Sequence, residues 1–251
     1  MQNNFYEYIK SYKPKEEKET TDNVTTRLLQ LLTKRIIDAK NTYLLLIDNN
    51  RSTDAILIAG HILELAAGIV YIKNGKHKEQ NTLKYINKST LQSLFSLFRN
   101  KPFAESQHLE NDIKCMLSTL SNDGYLVIKK RLSKIDTEKK QINSCVLNAL
   151  KDDELSYDAK TTLIEEFYEL PHVSDYLNHL YKYMSKSDEI KKLPKIQQPK
   201  SLFDAFYNKY CQIKHASPFC CCFDETTSKI KDFDQDVSIP AVAYSLAIIR
   251  E

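Results

Sequence analysis

The chain has 251 residues, of which only four are glycine and none is tryptophan. Average usage would supply roughly seventeen glycines, so hairpin turns and phosphate-cradling loops are in short supply, which argues against all-β sandwiches and barrels; neither G-x-G-x-x-G nor G-x-x-x-x-G-K-[ST] occurs. With 36 basic and 33 acidic residues, a net charge of +3 is too small an excess to argue for nucleic acid by itself.

Residues 1–22 are polar and charged with Tyr6, Tyr8 and Tyr12 interspersed, and read as a loose arm or a short first helix. A helical period then begins, capped by Asp22 or Asn23, with Leu28, Leu32, Ile36, Ala39, Tyr43 and Leu46 recurring at three- and four-residue steps. Asp48-Asn49-Asn50 ends it. Ser52, Thr53 or Asp54 caps the run 55–72, AILIAGHILELAAGIVYI, which closes near Gly75. Eighteen residues this apolar approach the lower limit for crossing a membrane, but Glu64 near the centre would cost about 2.5–3.5 kcal/mol on insertion. A helix at the centre of a bundle is the better reading.

Further helices are expected at roughly 89–99, 105–121, 124–150, 156–169 and 172–184, with Pro171 before the last of these. The stretch 185–200, with Pro194 and Pro199, reads as a connector. Residues 201–215 form an amphipathic helix stopped by Ser217-Pro218, residues 219–236 read as a polar loop, and a last helix starts at Ser238 with Pro240 in its first turn. The expected fold class is all-α: one helical domain over 1–251, with core helices in about 24–75 and 201–251. The helical middle, about 76–185, is a candidate insertion between the two halves of the bundle.

Six cysteines (Cys115, Cys145, Cys211, Cys220, Cys221 and Cys222) accompany an N-terminal stretch, MQNNFYEYIKSYKPKEEKE, without an apolar signal-like core. Reduced thiols in a cytoplasmic protein are the expectation. Cys211, His215 and the triplet 220–222 have the spacing C-x3-H-x4-CCC, which lacks the second C-x2-C half of a zinc site, so no metal or other cofactor is expected. The basic run Lys129, Lys130, Arg131, Lys134, Lys139 and Lys140 is interrupted by Asp136 and Glu138 and reads as a solvated helix face.

Two places carry chemistry. His61 and Glu64 lie three apart in the most apolar helix, so they share a face. Burying both is costly unless they are paired. They are either an acid/base or substrate-orienting pair or a polar pin that fixes helix register. The second place is the helix end Tyr207 to Pro218. There His215 falls in the last turn, Lys209 and Lys214 are suited to phosphate, and Tyr207 and Tyr210 to stacking on bases; alternatively His215 simply caps the helix. Small residues crowd the apolar helix (Ala55, Ala59, Gly60, Ala66, Ala67, Gly68), and Gly68, seven residues after His61, suggests a close helix approach on that face.

The stretch Gly60-His61-Ile62-Leu63-Glu64-Leu65, followed later by the helix end from Tyr207 to Pro218, resembles the HEPN-like helical proteins of bacteria, including abortive-infection proteins; the resemblance covers about 90 of the 251 residues. It implies a four-helix-type bundle, often dimeric, in phage defence or toxin–antitoxin biology. Active members are metal-independent endoribonucleases with an R-x4-6-H signature. On that resemblance His215 matches the histidine and acts as general acid/base, with His61 and Glu64 in supporting roles and Lys209, Lys214, Tyr207 and Tyr210 towards substrate. The arginine has no match: Asn208, Lys209 and Tyr210 stand seven, six and five residues before His215, and His61 stands where relatives often carry an arginine. Two readings therefore stand. One is an RNA-cleaving toxin acting as a homodimer; the other is a non-catalytic dimerisation or interaction subunit of a defence complex. Neither involves a membrane.

Overall fold

In the computed structural model, which describes residues 2–14, 23–74, 77–99, 156, 159, 170–184, 186–194, 199–215 and 228–250, the regular elements are all helices and no strand occurs among the described residues. In chain order they are α1 (Gln2–Ser11), α2 (Val24–Asp48), α3 (Ser52–Asn74), α4 (Lys78–Arg99), α5 (Val173–Met184), α6 (Asp188–Lys191), α7 (Pro199–Lys214) and α8 (Ser228–Ile249). The expected helices at 105–121 and 124–150, nearly all of that at 156–169, the basic run at 129–140, the cysteine triplet and the stop at Ser217-Pro218 lie outside the described residues.

Within the N-terminal segment, Gln2–Ser11 form a helix. Phe5, Ile9 and Tyr12 follow one another at steps of four and three and are buried, so one stripe of an otherwise polar segment anchors α1. In α2 the stripe Leu28, Leu32, Ile36, Ala39 and Tyr43 is buried as its spacing predicts, but it continues through Ile47 rather than Leu46. The Asn23 side chain accepts from the Thr25 amide at 2.8 Å and so caps α2.

The turn from α2 to α3 shows how a glycine-poor chain makes a left-handed corner. Asn50, with φ 57°, occupies the position usually given to glycine. The Arg51 amide donates to the Leu46 carbonyl at 2.8 Å and the Asn50 amide to Ile47 at 3.0 Å. These two bonds are the paired closure of a Schellman motif, so α3 begins at once with Ser52.

Two compact units divide the chain, one comprising Met1–Glu17, Gln30–Asn74 and Asp175–Glu251, the other Lys18–Leu29 and Gly75–Ser174. In the second unit Thr25 and Thr82 share a hydrogen bond of 2.9 Å between their hydroxyls, and the buried Lys88 ammonium donates to the Pro171 carbonyl. Helix α4 starts eleven residues before the segment expected at 89–99. Its first three turns are polar enough to hide the period, with Thr82 and Ile86 as their buried stripe and helix-favouring Lys, Glu and Gln around it.

In the first unit α3 and α8 pack together most extensively, and α1, α6 and α7 also pack on α8. Residues Val237 to Ile249 are buried on every face, as is most of α3. Helix α3 is long and apolar enough to cross a membrane, yet most of it is covered by its neighbours, as a core helix is. Aromatic contacts lead from Phe5 to Tyr244, on to Phe203 and then to Tyr181, with ring centroids 5.7, 6.3 and 5.8 Å apart.

The loop expected over 219–236 is corrected in part, because α8 begins at Ser228, ten residues before the expected start at Ser238. Pro240 therefore lies inside the helix. It withholds the amide that would bond the Asp236 carbonyl, and helical packing on both sides carries the chain through. The connector at 185–200 contains the short α6, capped by Ser187, whose hydroxyl accepts from the Ile190 amide at 3.2 Å. Pro199 opens α7 at the first-turn position where proline costs nothing.

Candidate functional site

Helix α7 crosses α3 at Gly60. A Cβ built there would lie 2.2 Å from Cδ2 and 2.5 Å from Cγ of Tyr210, so only glycine admits the ring at this distance. This close approach lies two turns before Gly68, the position to which the small-residue pattern points. Tyr210 is 5% exposed and held between the two helices, while Tyr207, one turn before it, is half-buried, with the ring centroids 5.8 Å apart. Of the two tyrosines proposed to stack on bases, only Tyr207 keeps open surface.

This crossing decides what lies around His61 and Glu64. Both sit on the rim of α3 rather than in its core, each half-buried and facing α7. They are not hydrogen-bonded to each other among the described residues. Glu64 instead meets the Lys214 ammonium at 3.6 Å, with the two side chains 28% and 48% exposed. Lys214 also lies over the Tyr210 ring, 5.1 Å from its centroid, and the Tyr210 hydroxyl interacts with both Lys214 and Glu64. An ion pair this exposed contributes on the order of 0.2–1 kcal/mol.

The titration shifts fit this arrangement. Burial raises the Tyr210 and Tyr207 hydroxyls, and Glu64 adds to both. Cys211 is a further neighbour that raises Tyr207. For Lys214, burial favours the neutral amine, but the Tyr210 hydroxyl and Glu64 outweigh it and its pKa is raised. His61 moves the other way. Burial is the main cause of its lowered pKa, with Arg35 of α2 and Lys214 adding to the effect and Glu64 opposing it. Its Nε2 is enclosed and has no hydrogen-bond partner. A protonated imidazole needs an acceptor at each nitrogen, so the orphaned Nε2 independently favours the neutral ring.

Lys209 has a different environment. Its ammonium, with a side chain 20% exposed, pairs at 3.5 Å with Asp234 of α8, which is completely buried. The Thr53 hydroxyl donates to the other carboxylate oxygen of Asp234 at 3.1 Å, and the Gln235 amide donates to the Ser52 hydroxyl at 3.0 Å. One turn further along α8 the Tyr43 and Ser238 hydroxyls are 2.9 Å apart. Lys209 is therefore engaged in joining α7, α8 and the start of α3.

His215 is exposed in the turn that ends α7, where its amide donates to the Cys211 carbonyl at 3.0 Å. It makes no side-chain hydrogen bond or ion pair to His61 or Glu64 among the described residues. Among the same residues no group of three or more His, Cys, Asp or Glu side chains could hold a metal ion. The structure thus brings together His61, Glu64, Tyr210 and Lys214, leaves His215 at the open helix end and gives Lys209 to Asp234. Arg35 was missed in the sequence because it lies on the solvent side of α2, 26 residues before His61, where nothing in the local pattern marks it. No protein-family model, curated protein or solved structure matches this chain.

Proposed function

We propose that this chain is a HEPN-like helical protein of cytoplasmic antiviral defence that cleaves RNA without a metal, as a homodimer. The observation that supports this reading is the Glu64–Lys214 contact over Tyr210, which brings the last turn of α7, one residue before His215, to the turn of α3 that bears Glu64. In the proposed reaction the RNA 2′-hydroxyl attacks the adjacent phosphorus and loses its proton to a histidine. The 5′ oxygen leaves with a proton, and a cyclic phosphate remains. His215, exposed and on a helix C-terminus, serves as general acid/base. Lys214 is placed to steady the charge that develops on the phosphate.

The test is cleavage of RNA by the purified chain with a chelator present. His215→Ala is expected to abolish cleavage and cell toxicity while leaving the fold intact, and equal behaviour of wild type and variant in both assays would end the reading. A second reading, a non-catalytic interaction subunit of a defence complex, is favoured by two specific observations. Lys209 and Lys214 both engage carboxylates of their own chain, and no arginine precedes His215 at the expected spacing. On that reading a partner protein copurifies equally well with wild type and His215→Ala.

A further inference from the structure

We propose that the cleft between α1 and the turn after α6 binds a short peptide with free ends, its ammonium on Glu7 and its carboxylate on Lys192. The cleft has a volume of about 610 Å³, within the range of about 300–1,000 Å³ usual for small-molecule sites. One wall is α1, through Asn4, Glu7, Tyr8 and Ser11; the other is Lys192, Leu193 and Pro194. The site shares no residue with the RNA-cleavage reading and does not rest on it.

Helical spacing builds the first wall. Asn4, Glu7, Tyr8 and Ser11 stand at i, i+3, i+4 and i+7, so they share one face of α1. A separate stripe, Phe5, Ile9 and Tyr12, is buried and seats the helix. The Tyr8 ring packs against that of Tyr12, with centroids 6.2 Å apart. The second wall is fixed from behind: Leu193 is buried, and the Pro194 carbonyl accepts from the Tyr244 hydroxyl at 2.9 Å. Both α1 and α6 pack on α8. A cleft whose walls are already held costs little further ordering when a ligand enters.

Charge sets the class of ligand. Glu189 meets two cations, the Lys192 ammonium at 2.5 Å and the Arg250 guanidinium at 3.6 Å. Neither cation meets a second carboxylate among the described residues, so this wall carries one positive charge in excess. Lys192 is the member of the group that lines the cleft. Its side chain is 68% exposed, and an ion pair this open to water exchanges partners at little cost. On the other wall Glu7 is exposed and makes no ion pair among the described residues. Opposite charges on opposite walls select a zwitterion over a simple ion. Beside Glu7, Asn4 offers both a donor and an acceptor. Ser11, whose hydroxyl donates to the Tyr8 carbonyl at 3.2 Å, keeps lone pairs for a further bond. These groups suit the amide of a peptide. The Tyr8 ring and Pro194 supply apolar surface for one side chain, best an aromatic one.

The test titrates the intact chain, isotope-labelled at its tyrosines, by NMR, with the Tyr8 signal identified by its loss in Tyr8→Phe. The probe is the dipeptide Ala-Phe. Its controls are N-acetyl-Ala-Phe, which lacks the ammonium, and Ala-Phe amide, which lacks the carboxylate. Ala-Phe is expected to move the Tyr8 signal saturably and to bind about fivefold more tightly than either control, since each control loses one exposed charge contact. Glu7→Gln weakens Ala-Phe by the same factor and leaves N-acetyl-Ala-Phe unchanged. Lys192→Gln weakens Ala-Phe likewise and leaves Ala-Phe amide unchanged. Crossed losses of this kind cannot come from misfolding, which weakens every probe alike. Glu189→Gln releases Lys192 and tightens N-acetyl-Ala-Phe, a gain that a merely destabilised variant would not show. A Tyr8 signal that does not move saturably, or equal losses of all three probes in either charge variant, overturns the site. Free phenylalanine binding as tightly as Ala-Phe overturns its assignment to a peptide.

Discussion

Two lysines of α7, five residues apart, each meet a carboxylate on a core helix, and burial gives them different work. Lys209 reaches Asp234, which is fully buried, at 3.5 Å, and Thr53 holds the other oxygen. Lys214 reaches Glu64 at 3.6 Å on the rim, with both side chains partly in water. The distances are nearly equal. The solvent is not, and it decides which pair holds the fold together and which is free to exchange partners. A buried carboxylate that loses its cation has nowhere to take its charge, whereas an exposed one is rescued by water.

The sharpest break of this comparison is Lys209→Ala against Lys214→Ala. Removing the ammonium that Lys209 brings to the fully buried Asp234 is expected to cost about 3 kcal/mol, a midpoint lowered by roughly 6–12 °C for a chain of this size. Lys214→Ala is expected to cost under about 1 kcal/mol. Thermal and urea unfolding of the two variants side by side checks this; equal losses would mean that burial does not separate the pairs.

Gly60→Ala comes next in size and asks whether the crossing that places Lys214 is as rigid as the Lys209 pair. Alanine would gain about 1 kcal/mol in helix propensity. Its methyl group, however, would stand 2.2 Å from a ring clamped between helices, and overpacking of this kind costs about 1–3 kcal/mol. Steric cost is expected to prevail, with a net loss of about 1 kcal/mol. Adding Tyr210→Leu should recover part of it in a double-mutant cycle, since the two residues touch. Simple additivity of the two changes would show that the contact is loose.

The same contrast explains what could be read in the sequence. The all-α character was legible because α2, α3, α5 and α7 carry apolar residues at helical spacing between clear stops. Helix α4 and the first ten residues of α8 were not, since their opening turns are polar and Pro240 imitates a helix start. Within the site, His61 and Glu64 stood out as polar residues in an apolar run, and Lys214 and Tyr210 as members of a suggestive helix end. What spacing could not show was pairing across helices. Nothing local distinguishes Lys209 from Lys214, because the difference lies in Asp234 and Glu64, 25 residues after the one and 150 before the other. Arg35 was hidden for the same reason.

The smallest expected effect tests the rim pair through its histidine. The pKa of His61 is lowered in the folded chain from 6.5, chiefly by burial and then by Arg35. The unfolded chain therefore takes up a proton more readily as the pH falls. Stability linked to His61 is fully present above pH 6.5, and is lost as the pH drops through the folded-state value. For a half-exposed ring the loss is expected to stay under about 1 kcal/mol, solvent screening included. Urea unfolding at a series of pH values should show this decline in the wild type and a flatter profile in His61→Gln. Arg35→Gln should also flatten it, because removing the cation makes the imidazolium easier to form. In Glu64→Gln the decline should steepen, because the one charge that favours the imidazolium is gone. Opposite changes from Arg35→Gln and Glu64→Gln are what an electrostatic rim requires; a purely structural histidine would respond to neither.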